Sequence, residues 1–202
     1  MQIRKINRVL ILLAVVLACV SYAGKPSNFF LGSLHTFSFL VVVPAIALLA
    51  LGKRLSDFGL QLGDWRTGLK YSTALLLISL PFMIYGASLA DFGRYYPLWK
   101  GALGGWQEFI LFELFVGLIM FSTEFFYRGF LLFNLKDKWW GNLFHSFLYM
   151  LVHLGKPGVE VPYSFFAGYV FGWVDLKTDS ILPSFLMHFI SSIIFDLLII
   201  ML

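Results

Sequence analysis

Long apolar runs, separated by short polar connections, extend through the whole chain. Runs of about 20 apolar residues are typical of helices that cross a bilayer. Seven runs are present, at residues 9–23, 35–51, 71–90, 106–133, 139–154, 161–176 and 181–202. The pattern predicts an all-α fold, a polytopic transmembrane helical bundle of about seven spans in which the last four helices form the core.

Two of these runs, 139–154 and 161–176, are shorter than the ~20 residues of a full span. They are joined by the turn at 155–158, so a hairpin that does not cross completely is one arrangement that their lengths allow. Gly168 and Gly172 lie four residues apart on the second of the two runs. Small residues at this spacing predict the close approach of a neighbouring helix.

The composition agrees with a membrane protein and narrows its chemistry. Mean hydropathy is +0.83 and 13% of the 202 residues are charged, values that few soluble domains share. The net charge of +4 does not indicate nucleic acid as a partner, because the Lys and Arg residues lie between the apolar runs. The single cysteine, Cys19, excludes an internal disulfide, a thiolate metal cluster and a redox pair.

The distribution of Lys and Arg predicts an orientation. With the N-terminus in the cytoplasm and seven spans, ten of the 15 basic residues fall inside, four fall outside, and Arg128 lies within a run. Basic residues before the first run resemble a secretory signal, but an uncleaved first helix is favoured because further spans follow. The polar connection at 52–70 suggests N-terminal transmembrane helices over 1–52 and a core over 53–202, and residues 91–105 are predicted to form an interfacial loop.

Ionisable residues inside the apolar runs are the candidates for function. Glu124 and Arg128 lie four residues apart in the fourth run and therefore share a helix face. An ionisable pair within a membrane helix is costly and indicates a functional site by default. A structural ion pair between helices, or an Arg that reaches toward the headgroups, would explain the same residues.

Two further runs carry polar stripes with a spacing of four residues. Burying each stripe separately in lipid would cost several kcal/mol per group, so we expect the three helices to turn them toward one polar cavity. In that cavity, a carboxylate and two imidazoles could activate water, or could hold a divalent metal such as zinc. The stripes comprise His145, Tyr149 and His153 on the fifth run, His188, Ser192 and Asp196 on the seventh, and Glu113 with Glu124 on the fourth.

Three of these segments resemble the motifs of the CAAX-prenyl-protease and bacteriocin-processing intramembrane proteases, also called abortive-infection proteins. The first motif, Glu-Glu-x-x-x-Arg followed by Gly, is similar to the Thr-Glu-Phe-Phe-Tyr-Arg-Gly at 123–129. The second, Phe-x-x-x-His, is similar to Tyr149 through His153. The third, His-x-x-x-Asn, is similar to His188 through Ser192. The order and spacing agree over the region from about Lys53 to the C-terminus.

The resemblance implies an all-helical membrane fold, a cavity open toward the cytoplasm, and cleavage of prenylated proteins or, in bacteria, of membrane-associated peptides. It places this chain in the cytoplasmic membrane of a bacterium, with the lipid bilayer and a peptide or protein substrate as its partners. It also implies that Glu124 or a nearby acid acts on water with His153, that His188 and Ser192 stabilise an oxyanion, and that Arg128 holds the carboxylate.

Two departures from the motifs bear on activity. Thr123 stands where the family has the first Glu, and Ser192 stands where it has Asn. Neighbouring helix positions point about 100° apart, so Glu124 does not automatically replace the missing Glu. Glu124 is nevertheless the predicted base, and Glu160, just after the turn at 155–158, is the second candidate.

The predicted function is therefore an intramembrane endopeptidase that uses water activated by Glu and His. Participation of a divalent metal such as zinc is left open by the residues, since the site can work without one, and Glu124, His153 and His188 are the expected ligands if one is bound. A non-catalytic family member that binds a membrane peptide, as a scaffold or immunity protein, is the alternative. A proton-coupled transporter is disfavoured because the runs show no inverted repeat.

Overall fold

The computed structural model describes the backbone of residues 2–135 and 138–202, and side chains from Val9 onward over the same ranges. These residues form helices and turns without a strand, which confirms the all-α membrane bundle. The helices are α1 (Gln2–Ala23), α2 (Phe29–Ala50), α3 (Trp65–Ala87), α4 (Ala90–Tyr95), α5 (Trp106–Leu132), α6 (Lys138–Leu151), α7 (Glu160–Thr178) and α8 (Leu182–Met201). Two of these include π-helical turns, at Ser38–Val42 in α2 and at Phe125–Leu132 in α5, and short 3₁₀ turns cover Leu55–Phe58 and Lys100–Gly104.

Helix starts differ from the predicted runs because capping side chains, and not apolar residues, set them. The α2 helix begins at Phe29 and not at residue 35, since the Asn28 side chain accepts a hydrogen bond from the Leu31 amide. The α3 helix begins at Trp65 and not at residue 71, since Asp64 accepts from the Thr67 amide. The region predicted as an interfacial loop also contains a helix, α4, and a 3₁₀ turn.

Four of the helices in the described ranges are long and apolar enough to cross a membrane, namely α2, α3, α5 and α8. The apolar part of α1 is shorter, at Val9–Ala23. The α6 helix has only 14 residues, as its short run predicted, whereas α7 has 19 and includes charged residues at both of its ends. Length alone therefore does not show whether α6 and α7 extend from one end of the bundle to the other. The contacts made by the connections before and after them show it.

One end of the bundle gathers connections that, together with the helix turns beside them, carry Lys53, Arg54, Arg66, Lys70, Lys138 and Lys177. The Ile181 amide donates to the Gly59 carbonyl at 2.9 Å, and the Asp64 amide donates to the Thr178 carbonyl at 2.8 Å. The Phe133 ring lies directly against Gly59. This basic end comprises the connections 51–64, 133–135 and 179–181.

The opposite end carries the aromatic-rich connections. The Tyr96 hydroxyl lies 2.8 Å from both carboxylate oxygens of Glu160, and the Lys156 ammonium lies 2.7 Å from one of them. The Phe30 and Trp99 rings pack edge to face at 4.9 Å. This aromatic end comprises the connections 24–28, 88–105 and 152–159. Because successive connections alternate between the ends, the long helices from α2 to α8 run back and forth between them.

The two N-terminal helices share a hydrophobic core with the end of α5. Leu10 and Leu17 of α1 and Leu48 of α2 are buried against Phe126 and Phe130. Each such side chain contributes about 1.5–3 kcal/mol when it is removed from water, although in lipid the gain comes from close packing. The proposed division at residue 52 stays a prediction, and the two parts pack on one another.

The close approach predicted at Gly168 and Gly172 is present between α6 and α7. A Cβ atom at Gly168 would lie 3.1 Å from the Tyr149 ring, and one at Gly172 would lie 2.6 Å from His145 Cε1 and would also overlap Asn142. The Asn142 side-chain amide donates to the Tyr169 carbonyl at 2.9 Å across the same contact. The two glycines therefore bring the histidine-bearing helix against α7.

We expect Gly172→Ala to lower the unfolding free energy by about 1–3 kcal/mol, because the added methyl group overpacks the α6–α7 contact. Thermal unfolding in detergent micelles measures the loss. Gly93→Ala in α4 is the matched control, because a Cβ there meets no atom within 4 Å. Equal stability of the two variants would contradict this account of the contact.

Candidate active site

The predicted pair of Glu124 and Arg128 lies completely buried near the basic end of α5. Arg128 Nη1 donates to Glu124 Oε2, and neither side chain is exposed. Glu124 closes the α-helical part of α5, and Arg128 lies in the π-helical turns that follow. The four-residue spacing therefore produced the expected contact, and the alternative of an Arg side chain that reaches the headgroups is wrong.

His188 of α8 completes this pair. Its Nδ1 atom lies 2.7 Å from Glu124 Oε1, and its Nε2 atom lies 3.4 Å from the Tyr149 hydroxyl. A carboxylate only accepts hydrogen bonds, so Nδ1 carries the proton in this contact. The carboxylate thus orients the imidazole and leaves Nε2 toward Tyr149, in the way that a buried acid orients a catalytic histidine.

Aromatic rings from two more helices enclose the guanidinium of Arg128. Its central carbon lies 4.7 Å from the centre of the Tyr149 ring in α6 and 5.1 Å from that of Phe171 in α7. Cation–π contacts of this kind are strongest where water is excluded. Four helices are therefore linked through the single pair of Glu124 and Arg128.

Asp175 is a buried acid that the sequence prediction missed. It lies on α7 within electrostatic reach of Arg128, and its Oδ2 atom accepts a hydrogen bond from Ser184 at 2.7 Å. Asp175 follows Gly168 by seven residues, or two helical turns, so it lies on the packed face of α7. That spacing was the signal by which the sequence could have identified it.

His153 lies just beyond the end of α6 and is only 8% exposed. Its Nδ1 atom is 2.8 Å from the Tyr149 carbonyl oxygen, and the two rings are 4.6 Å apart. Since a carbonyl only accepts, Nδ1 donates and the neutral ring carries its lone pair on Nε2. His145, one turn before Tyr149, is instead fully buried between α6 and α7, and its two nitrogens have no partner among the side chains that the structure describes.

A cavity of about 350 Å³ joins the two motif histidines to the aromatic end of the bundle. Glu124 and Arg128 are not among its lining residues, so they lie behind His188 and not at the cavity wall. Phe82 and Tyr85 of α3 and Tyr163 of α7 line it although 63%, 65% and 48% of their surfaces are exposed, so the cavity reaches the surface of the bundle. Its polar lining consists mainly of Tyr149, His153, His188, Ser191, Ser192, Asp196 and, at the aromatic end, Tyr96, Lys156 and Glu160.

The cavity therefore extends away from the basic end. Burial and the neighbouring Glu160 carboxylate hold the pKa of Tyr96 well above its ordinary value, so its hydroxyl stays protonated and donates to Glu160. Lys156 closes this group of three at the cavity rim, since its ammonium donates to both Tyr96 and Glu160. Glu160 begins α7 and is held by these two partners.

The residues expected to bind a metal do not form a suitable ligand set. Both oxygens of Glu124 face other groups, one the Arg128 guanidinium and the other the His188 ring. A cation at this carboxylate would also lie beside the positive charge of Arg128. Within the described ranges, no group of three or more His, Cys, Asp or Glu side chains is arranged to hold a metal ion.

The site is thus two histidines at the wall of one cavity in an all-helical membrane bundle, with the buried pair of Glu124 and Arg128 behind one of them. A family model described as type II CAAX prenyl endopeptidase Rce1-like matches residues 105–194. The match confirms the family resemblance that the motifs predicted, and it lies on the segment that carries all three of them. Neither a curated protein nor a solved structure matches the chain.

We expect Arg128→Met to lower the unfolding free energy by about 3–5 kcal/mol, because it leaves the buried Glu124 carboxylate without its cation. Adding Glu124→Gln to that variant removes the uncompensated charge, so the double variant should lose less than the two single losses added together. Unfolding in detergent micelles measures the stability of Arg128→Met, of Glu124→Gln and of the double variant. Arg54→Met, at an exposed ion pair, is the control and should change stability little. Additive losses would show that the buried pair is not coupled.

Proposed function

We propose that the chain is an intramembrane endopeptidase that hydrolyses a peptide bond in an apolar, membrane-associated peptide. The observation that carries the proposal is that His153 and His188 line one cavity, with His188 oriented by the buried Glu124. The exposed rings at the cavity surface, on α3 and α7, suit a substrate that enters from the bilayer. The matching family is one of prenyl endopeptidases, which supports the same class of reaction.

His153 is the proposed base. Its Nε2 lone pair accepts a proton from a water molecule while the water oxygen forms a bond to the scissile carbonyl carbon. The carbonyl π electrons move onto oxygen and give a tetrahedral oxyanion. When that intermediate collapses, the C–N bond breaks, and the proton held by His153 passes to the leaving amine. Atoms and charge therefore balance with water as the co-reactant.

His188 and Ser192 are the proposed groups for the oxyanion. They lie one helical turn apart on α8 and line the same cavity, so both can point donors at one substrate oxygen. The Ser192 hydroxyl donates directly, whereas His188 donates from Nε2 only after its ring takes up a second proton from bulk water, to which that proton returns when the intermediate collapses. Glu124 accepts the hydrogen bond from Nδ1 of this ring, and Arg128 donates to the other oxygen of the same carboxylate.

This assignment moves the base from Glu124, the sequence-based candidate, to His153. Both oxygens of Glu124 are engaged and the side chain lies away from the cavity wall. Glu160, the second candidate, is held by Tyr96 and Lys156 at the rim. We therefore assign to Glu124 the positioning of His188. Glu160 is assigned a structural role, as the acceptor of the hydrogen bonds from Tyr96 and Lys156 at the aromatic end.

The substitution at Thr123 favours a second candidate, a family member that binds a membrane peptide without cleaving it. The Thr123 hydroxyl donates to the Ile119 carbonyl of its own helix at 2.5 Å and supplies no carboxylate. A site that lacks the first Glu of the family motif could retain the peptide-binding cavity alone. The two candidates differ in one measurable respect, the appearance of cleaved products.

We further propose an N-terminus in the cytoplasm, in the cytoplasmic membrane of a bacterium, on the basis of the Lys and Arg distribution. In that orientation the basic end is inside and the aromatic end is outside. The cavity then extends toward the outside, whereas the family resemblance implied an opening to the cytoplasm. These two expectations are incompatible in this fold, and the orientation experiment below decides between them.

We expect His153→Gln to reduce cleavage by about 10²–10⁴-fold, the usual contribution of a general base. Purified full-length protein in nanodiscs is incubated with a library of apolar peptides, and new termini are identified by mass spectrometry. His35→Gln is the matched control, because that ring packs on Phe39 in α2 and does not line the cavity. Full activity of the His153 variant would contradict the assignment of the base.

Thr123→Glu separates the two candidate functions. If the unmodified chain yields no products but the Thr123→Glu variant does, the chain is a non-catalytic binder in which the reaction was lost with that carboxylate. If the unmodified chain cleaves peptides in a manner that depends on His153, it is an endopeptidase.

Orientation is measured with single cysteines in a Cys19→Ser background. We expect a membrane-impermeant maleimide to label Gly158→Cys at the aromatic end of intact cells, but to label Gly52→Cys at the basic end only after lysis. The reverse pattern would contradict the charge-based orientation and would place the cavity opening on the cytoplasmic side.

A further inference from the structure

A pair of carboxyl groups lies in the bundle outside the site described above. Glu113 of α5 and Asp196 of α8 are within hydrogen-bonding reach of each other and are only 6% and 2% exposed. Phe109, Phe112 and Val116, which precede and follow Glu113 on α5, are buried in one hydrophobic cluster. The sequence placed both residues on polar stripes, and the proposed hydrolysis uses neither.

The two carboxyl groups have more hydrogen-bond acceptors than partners, and no cation of the described residues pairs with either of them. Two ionised carboxylates only accept hydrogen bonds, so their contact requires a shared proton. In the described part of the chain, neither group has an ion-pair partner, and both Glu113 oxygens and Asp196 Oδ1 have no hydrogen-bond partner in the absence of that proton. The pair is therefore a negative site that is incomplete as it stands.

The nearest ammonium groups are committed elsewhere. Lys156 donates to Glu160 and to Tyr96, and Lys100 donates to the carbonyl oxygens of Gly93 and Tyr96. Each of these lysines would have to break its own contacts in order to reach Asp196. A cation that completes the pair must therefore come from outside the described chain.

Asp196 directs the pair into the cavity, because it is one of the lining residues. The Tyr96 and Phe195 rings line the same stretch and pack edge to face at 5.5 Å. Aromatic faces beside a carboxylate suit an organic cation. A cavity of about 350 Å³ with mostly apolar walls is too large for a bare ion but accommodates a charged group carried on an apolar chain.

We propose that Asp196, paired with Glu113, is a recognition subsite for a basic side chain of the peptide substrate, either a Lys ammonium or an Arg guanidinium. The proposal rests on the proposed endopeptidase function, since it names a feature of the substrate for the same cavity. The cation takes the place of the shared proton and pairs with a carboxylate that otherwise has no partner.

The geometry also gives the distance of the basic residue from the scissile bond. Asp196 follows His188 by eight residues on α8, which corresponds to about 12 Å along the helix. An extended peptide advances about 3.3 Å per residue. The basic side chain therefore belongs roughly three or four residues from the bond that lies at the histidines.

Binding and cleavage are measured separately. The probe is a fluorescent 12-residue apolar peptide with blocked termini and one Lys, and its partner carries norleucine in place of the Lys. Affinities are measured on full-length His153→Gln protein in phosphatidylcholine nanodiscs, so that the peptides are not consumed. We expect the Lys peptide to bind at least about tenfold more tightly, and we expect Asp196→Asn and Glu113→Gln to remove that preference.

Glu108→Gln is the matched control, because this acid lies on α5 at the exposed end of the helix. It should retain the preference for Lys. Moving the Lys along the peptide tests the same subsite without any substitution in the protein. Its result therefore does not depend on whether the Asp196 and Glu113 variants fold. With the unmodified chain, the scan should give one preferred cleavage position, three or four residues from the Lys.

Equal affinity for the Lys and norleucine peptides, including no binding of either, would overturn the proposal. So would a preference that survives Asp196→Asn in folded protein. If phosphatidylethanolamine in the nanodiscs binds at the pair while the Lys peptide shows no preference, the site recognises a lipid headgroup and the proposal is wrong. A Lys preference without cleavage by the unmodified chain would support the subsite and refute the endopeptidase function, so the two failures are distinguishable.

Discussion

The hydrogen-bonded ion group formed by Glu124, Arg128 and His188 is the interaction on which the rest of the structure depends. In an environment without water, a carboxylate or a guanidinium is tolerated only when it is paired. Glu124 is paired twice, once with Arg128 on its own helix and once with His188 on α8. The Arg128 guanidinium is in turn enclosed by rings from α6 and α7. Four helices are thus held in one arrangement by a charge that none of them could bury alone.

The same interaction prepares the cavity for chemistry. The carboxylate fixes which nitrogen of His188 carries the proton, and the end of α6 does the same for His153 through the Tyr149 carbonyl. Both rings therefore present a defined atom to the cavity. Gly168 and Gly172 allow α7 to approach α6 closely enough for Tyr149 and Phe171 to meet over Arg128. The enclosure of the Arg128 charge on α5 therefore depends on the small residues of α7.

Much of this arrangement could be predicted from periodicity. Four-residue spacing placed Glu124 with Arg128, and Tyr149 with His153, and the order of the motifs indicated the family resemblance that the match over 105–194 confirms. Periodicity does not give the rotation of a helix against its neighbours, and for that reason Glu124 was expected at the cavity although it lies behind His188. Capping side chains explain the misplaced starts of α2 and α3. The contact of Glu113 with Asp196 joins residues more than 80 positions apart, and only the packing of α5 on α8 produces it.

The central claim is that backbone and carboxylate contacts fix both histidines with the proton on Nδ1, so that a neutral His153 ring presents the lone pair of Nε2 to the cavity. Solution or solid-state NMR of ¹⁵N-histidine-labelled protein in nanodiscs at neutral pH reads the tautomers directly, with assignments from single His→Gln variants. The account predicts a neutral His153 protonated at Nδ1, unchanged by Glu124→Gln, and a His188 signal that the same substitution shifts. A His153 protonated at Nε2, or a His188 signal indifferent to Glu124→Gln, would contradict it.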